Sequence, residues 1–141
     1  MSQRLEDLEP ATAAMCRAFL AECEERMLPP LRVTHTLRTM DEQMHLYAKG
    51  RIRTASGWEV VDPKAVVTKA APGQSPHNYG AAFDVAFRSH DPYPQDERLW
   101  EAVGLVGEMV GLAWGGRWKG FTDRPHFEHP QWRSLKRGVS A

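Results

Sequence analysis

Asp84 is the residue that first asks for an explanation. It lies in Ala82-Phe83-Asp84-Val85-Ala86-Phe87, inside a segment from Ala81 to Phe87 whose alternation reads as a strand. Aspartate is poor in strands, and a buried carboxylate is costly unless it is paired or bound to a metal. His77 stands seven residues earlier, with Gly80 between them to let the chain turn. His126 has apolar and aromatic neighbours in a second short strand, Pro125 to Glu128. Two imidazoles and a carboxylate from neighbouring strands make three ligands. That count leaves the fourth tetrahedral position open, the pattern of a catalytic zinc; a structural zinc uses four protein ligands, usually cysteines.

Hydrolysis at such an ion also needs a base. Asp123 precedes His126 by three residues, and a turning segment brings both side chains to one cleft. Glu128, two residues beyond His126 on the same strand face, is its competitor. Arg38, between a short strand and a helix, is the candidate cation for a tetrahedral oxyanion. Each residue also has a plainer reading. A strand histidine is more often a satisfied polar group than a ligand, Asp84 could pair with an arginine, and Asp123 could be a turn residue. Only the joint pattern favours a metal. Of the six histidines, His35, His45 and His90 receive no role, and His129 is placed beside the ligands without being one.

Elements that could position these groups follow from periodicity. Residues 11–28 read as a helix, with Ala14, Met15, Ala18, Phe19, Cys23 and Met27 at three- and four-residue steps, stopped by Pro29-Pro30. Leu31, Val33 and Thr34 suit a short strand. Thr39 or Asp41 caps a second helix that Gly50 ends. Residues 51–76 read as a long connection in which only Val66-Val67-Thr68 is strand-like; such a loop usually shapes a cleft. A third helix spans 97–112, and Ala113-Trp114 begins a strand before a Gly-Gly turn. Helices and strands mix without βαβ alternation, which predicts an α+β fold: a small antiparallel sheet carrying the zinc site, flanked by about three helices.

The 141 residues suffice for one domain, with the catalytic core at about 31–130 and no separate wall-binding domain expected. Eighteen basic residues balance eighteen acidic ones, which argues against a dedicated nucleic-acid binder. No apolar run is long enough for a transmembrane helix, so membrane insertion is not expected. The start, Met-Ser-Gln-Arg-Leu-Glu-Asp, lacks the basic and apolar regions of a signal peptide, which predicts synthesis in the cytoplasm. Cys16 and Cys23 are seven apart on one helix, roughly 10.5 Å of rise, beyond disulfide reach. They read as reduced packing residues.

The string Ser75-x-His77-x-x-Gly80-x-Ala82-x-Asp84, followed by Asp123-x-x-His126, resembles the zinc peptidases of the VanY-like D-alanyl-D-alanine carboxypeptidase and L-alanyl-D-glutamate endopeptidase group, which includes phage endolysins. Leu37-Arg38-Thr39, Glu42-Gln43, Leu46-Tyr47 and Gly50-Arg51 are similar to the family's arginine-bearing segment. Trp114-Gly-Gly-Arg-Trp118-Lys-x-Phe121 resembles the lead-in to the last ligand of the endopeptidase branch. The resemblance implies Zn2+ on His77, Asp84 and His126, Asp123 as general base and acid, and Arg38 on the scissile carbonyl. It also implies substrate contacts from Ser75, Gln43 and Trp118, with Glu128 and His129 behind the ligands. An aspartate at the base position favours the endopeptidase branch, whereas Arg117 stands where close relatives carry an acid. The implied partner is bacterial peptidoglycan, cut by a monomeric enzyme at L-alanyl-D-glutamate. The implied setting is bacteriophage lysis, with the enzyme reaching the wall from the host cytoplasm after holin-type release.

Two other functions fit the same residues. A D-alanyl-D-alanine carboxypeptidase would need a cation for the terminal carboxylate, which Arg51 or Arg53 could supply. A zinc-stabilised binding module, as in hedgehog-type domains, would need neither Asp123 nor Arg38.

Overall fold

The computed structural model describes residues 1–139, with side chains through Lys136; the last two residues of the domain expected over 1–141 lie outside the described residues. Helix α1, Pro10–Glu25, opens with proline in its first turn and is capped by the Glu9 carboxylate, which accepts from the Ala11 and Thr12 amides. It buries Thr12, Ala13, Cys16, Phe19 and Cys23. The helix stops three residues short of the expected Leu28. Met27 turns left-handed at φ 59°, and the Leu28 amide donates back to the Cys23 carbonyl at 3.0 Å. That closing turn puts Met27 in solvent, 89% exposed, not on the apolar stripe.

Strand β1, Leu31–His35, follows the two prolines, and α2, Met40–Tyr47, begins at Thr39. Thr39 and Glu42 form a reciprocal capping box. The stretch read as a long connection contains a hairpin instead: β2, Arg51–Thr54, pairs with β3, Gly57–Val60. Its strands are four residues long, carry Arg51, Arg53 and Glu59 and bury no residue, so no alternating apolar face advertises them. The expected strand at 66–68 is not one. The Thr68 carbonyl accepts from Arg51 and the Ala70 carbonyl from Gln43, so side chains hold this segment where a ladder was expected.

Strand β4, Ala82–Phe87, is central to a four-stranded antiparallel sheet of order β1-β4-β6-β5, with β5 at Ala113–Trp114 and β6 at His126–Glu128. Register sets Asp84 against His126 and Phe83 against Phe127. Helix α3, Glu97–Met109, capped by Asp96, packs behind the sheet. Gly104 and Gly107 permit this: a Cβ there would stand 2.3 Å from the Trp114 and Phe127 rings respectively. Phe19, Phe83 and Phe127 are fully buried between sheet and helices, with Phe19 and Phe127 centroids 4.7 Å apart. A fourth helix, α4, Trp132–Val139, was not anticipated; it starts from Trp132, buried and stacked on Tyr79. Cys16 and Cys23 are buried free thiols, and burial pushes them up to about 12 and about 11.

Candidate active site

His77 is not on a strand. It sits in a single 3₁₀ turn, Pro76–Tyr79, capped by Ser75 and closed by Gly80 at φ 64°. A Cβ on Gly80 would also crowd the backbone of Asp7 and Glu9 at 2.9 Å, so glycine is required there twice over. The turn delivers a buried imidazole whose Nδ1 donates to the Thr36 carbonyl at 2.8 Å. That bond fixes the tautomer and leaves Nε2 facing Asp84 Oδ2 at 3.4 Å. The His126 ring is oriented by two carboxylates: Nδ1 lies 3.1 Å from Asp84 Oδ1, and Nε2 lies 2.8 Å from Glu128 Oε1.

One donor atom from each of His77, Asp84 and His126 lies within 4.8 Å of the other two. Two imidazole nitrogens and a carboxylate oxygen converging at this spacing fit a divalent ion with an open position. The charges agree. Burial would raise the Asp84 carboxyl, but bonds from His126, His35 and His77 hold it well below the usual range. Burial lowers His77, which Asp84 only partly offsets. Burial would lower His126 too, but Asp84 and Glu128 outweigh it and lift it to about 9. The metal-free site therefore keeps a proton where a cation would sit.

These groups line a cleft of about 420 Å³ together with Arg38, Ser75, Trp118, Asp123 and Glu128. Asp123 reaches it through a turn in which the His126 amide donates to the Asp123 carbonyl at 3.2 Å. Gly115 makes room for this turn: a Cβ there would meet the Asp123 carbonyl oxygen at 2.4 Å. Burial raises the Asp123 carboxyl, helped by Asp84 and opposed by His126, His77 and Arg38. Arg38 is half-buried. Its Nη1 donates to Gln43 Oε1 at 2.9 Å, while its Nε is buried with no partner. A guanidinium N–H left unpaired in a cleft calls for an acceptor that arrives with the ligand.

Two assigned residues have other duties. Gln43, read as a substrate contact, is fully buried; its amide accepts from Arg38 and donates to the Ala70 carbonyl, so it holds Arg38 and does not line the cleft. His129 is turned out of the cleft, where its Nδ1 accepts from the Gln131 amide. Ser75 and Trp118 line the cleft, Ser75 by capping the His77 turn and Trp118 with its ring 5.0 Å from that of His126. Arg117 pairs with Glu101 and Glu108 of α3, away from the cleft. His35, given no role, has Nδ1 3.3 Å from Asp84 Oδ2 and lines the cleft. An irregularity between Val33 and His35 brings it opposite Asp84, and no local sequence signal marks that pairing. Asn78 was also missed: its amide accepts from Gly73 and Ser75 and donates to the Arg38 carbonyl, tying the histidine turn to the arginine.

Residues 68–129 match the family model described as D-alanyl-D-alanine carboxypeptidase. The chain is 30% identical over 132 residues to the peptidoglycan L-alanyl-D-glutamate endopeptidase CwlK of Bacillus subtilis, covering 86% of this chain and 73% of that protein. Among solved structures, the Serratia marcescens L-Ala D-Glu endopeptidase ChiX superposes with a TM-score of 0.60 at 21% identity, over 94% of this chain and 86% of that one. The vancomycin-resistance D,D-pentapeptidase VanY, solved with Zn(II), gives 0.57 at 14% identity, over 95% and 79%. The last two establish the shared fold, and the match to CwlK, with the family segment containing His77, Asp84, Asp123 and His126, establishes descent: the chain belongs to the M15 metallopeptidase family.

Proposed function

We propose that the protein is a zinc-dependent peptidoglycan hydrolase that cuts the L-alanyl-D-glutamate bond of the stem peptide. The observation that carries the reading is the convergence of His77, Asp84 and His126 with Asp123 and Arg38 in one cleft. A binding module would need the first three alone. The endopeptidase bond is favoured by the likeness to CwlK over most of both chains.

His77 and His126 would hold the ion through Nε2 and Nδ1, with Asp84 as the third ligand; Thr36 and Glu128 fix the two rings from behind. Zinc, when bound, acidifies a water toward about pH 7 and polarises the scissile carbonyl. Asp123 takes the proton of the attacking water and returns it to the leaving amine. Burial keeps this carboxyl more basic than an exposed aspartate, which suits it to both halves of that transfer. Arg38 meets the negative charge that develops on the carbonyl oxygen. Its position is fixed in advance by Gln43 and Asn78, so little reorganisation accompanies the reaction.

Digestion of purified sacculi tests this directly. Mass spectrometry should find new D-glutamate amino termini that depend on zinc and vanish with a chelator. Released D-alanine without them would move the assignment to the carboxypeptidase reaction; no release of either would sink the hydrolase reading. The biological setting attached to this activity is bacteriophage-induced lysis of the host after holin-type release. Cytoplasmic expression should then lyse cells only when a holin is co-expressed.

A further inference from the structure

We propose that Lys69 is the specificity-determining residue that binds the carboxylate carried by the leaving residue of the substrate. The inference rests on the peptidase reading above and deepens it. Both reactions open to this family share one chemical feature. In D-alanyl-D-alanine, the carbon bearing the leaving amine also bears a carboxylate. The same holds for L-alanyl-D-glutamate in a stem peptide that continues through the glutamate side chain. An enzyme for either bond gains from a cation set to one side of the reacting centre.

The cations suggested for that task are turned elsewhere. The Arg51 guanidinium lies 4.0 Å over the Tyr47 ring and donates to the Tyr47 and Thr68 carbonyls. Arg53 lies over Trp58. Neither lines the cleft. Within the cleft, the Met1 ammonium pairs with Glu42, and half-buried Arg38 donates to Gln43. Lys69 lines the same cleft, is exposed, and has no acidic partner among the described residues.

Its backbone is fixed on both sides. Arg51 holds the Thr68 carbonyl at 2.9 Å, Gln43 holds the Ala70 carbonyl at 2.7 Å, and the Ala70 amide donates to Thr68 Oγ1 at 3.1 Å. Both flanking carbonyls are therefore engaged from the α2–β2 side, and the lysine rises from an anchored wall. Gln43 joins the two functions, since one amide positions both Arg38 and the wall that carries Lys69. Charge balance supports the assignment. Asp84, Asp123 and Glu128 face Arg38 and, when loaded, a divalent ion, which together match three carboxylates. Lys69 is left over, and an incoming carboxylate is its complement.

The test uses the zinc-loaded full chain and two matched substrate pairs. One is an L-alanyl-D-glutamyl stem peptide and its α-carboxamide; the other is an acyl-D-alanyl-D-alanine and its C-terminal amide. Wild-type enzyme should prefer the carboxylate of whichever pair it cuts by about tenfold in kcat/KM, chiefly through KM, the scale of one charge-assisted contact. Lys69→Met should compress that ratio to within about twofold, Lys69→Arg should retain most of it, and added salt should shrink it in the wild type. The exposed site predicts an unchanged melting temperature, so a folding defect will not imitate the result. An unaltered ratio in Lys69→Met, or no preference in the wild type, overturns the assignment of Lys69. Wild-type enzyme that cuts neither pair overturns the peptidase reading instead.

Discussion

On the helix side of β4 and β6, Phe83, Val85 and Phe127 are fully buried and pack with Phe19 of α1. One residue along the same strands, Asp84, His126 and Glu128 line the cleft. Adjacent residues thus belong to separate tasks because strand side chains alternate between faces. The helix face needs no ion, and it fixes the register that sets Asp84 opposite His126. A slip of one residue would exchange the two sets, burying carboxylates and exposing phenylalanines. The polar face, by contrast, gathers Asp84 and Glu128 in a cleft where the buried Arg38 Nε has no partner, which a fold selected for stability alone would avoid.

The contrast is broken most severely by truncating one residue of the cleft and one of the apolar face. His77→Ala should stay folded on its apolar face yet lose both metal and activity. Phe83→Ala should lose about 3–5 kcal/mol of stability, while its folded fraction still binds one ion. Metal analysis beside denaturant melts separates the two, and full metal in His77→Ala would remove that residue from the ligand set. Next in size is Asp123→Asn, expected to remain folded and metal-loaded with activity down about 10²–10⁴-fold. Glu128→Gln should be milder and of another kind. Its partner is the His126 ring, so metal affinity should fall by about 10–100-fold and excess zinc should restore turnover. Reversed outcomes would make Glu128 the base.

Arg38→Ala should lower kcat by roughly 10²–10³-fold with KM little changed, because the charge it meets develops only in the transition state. Near-normal turnover with a lowered melting temperature would leave Arg38 a scaffold residue. The smallest effect is a proton. In the metal-free protein His126 stays charged up to about 9, whereas His77 is held neutral by burial. Metal binding at pH 7 should therefore release about one proton, and its affinity should rise with pH until about 9. Stability from the same raised group is fully present below the unfolded histidine value and is lost as pH rises through about 9 in metal-free protein. Calorimetry in buffers of different ionisation heat counts the proton; release that does not vary with pH would contradict the assignment to His126.

The proposed ligands and base stand out in the sequence because their oddity is local. Asp84 in an apolar strand and the Asp123-to-His126 spacing need no tertiary knowledge to stand out. The site's supports were not legible in this way. His35 reaches Asp84 through a register irregularity, Gln43 through a contact 27 residues away at Ala70, and Asn78 through Arg38, 40 residues away. Such partners depend on pairing that periodicity does not encode. The β2–β3 hairpin escaped notice for a related reason: strands that bury no residue lack the alternation on which strand recognition rests. Helix α4 escaped because it is short and, among its described side chains, buries only Trp132.

The central claim is that the polar face of β4 and β6 is a metal site assembled around Asp84. Zinc titration of the metal-free protein, followed by calorimetry for the wild type and for Asp84→Ala, tests it most directly. The wild type should bind one ion per chain, and Asp84→Ala should remain folded while binding at least about 10²-fold more weakly, since a ligand itself is removed and not merely its orienting partner. Equal stoichiometry and affinity in the two proteins would contradict the account.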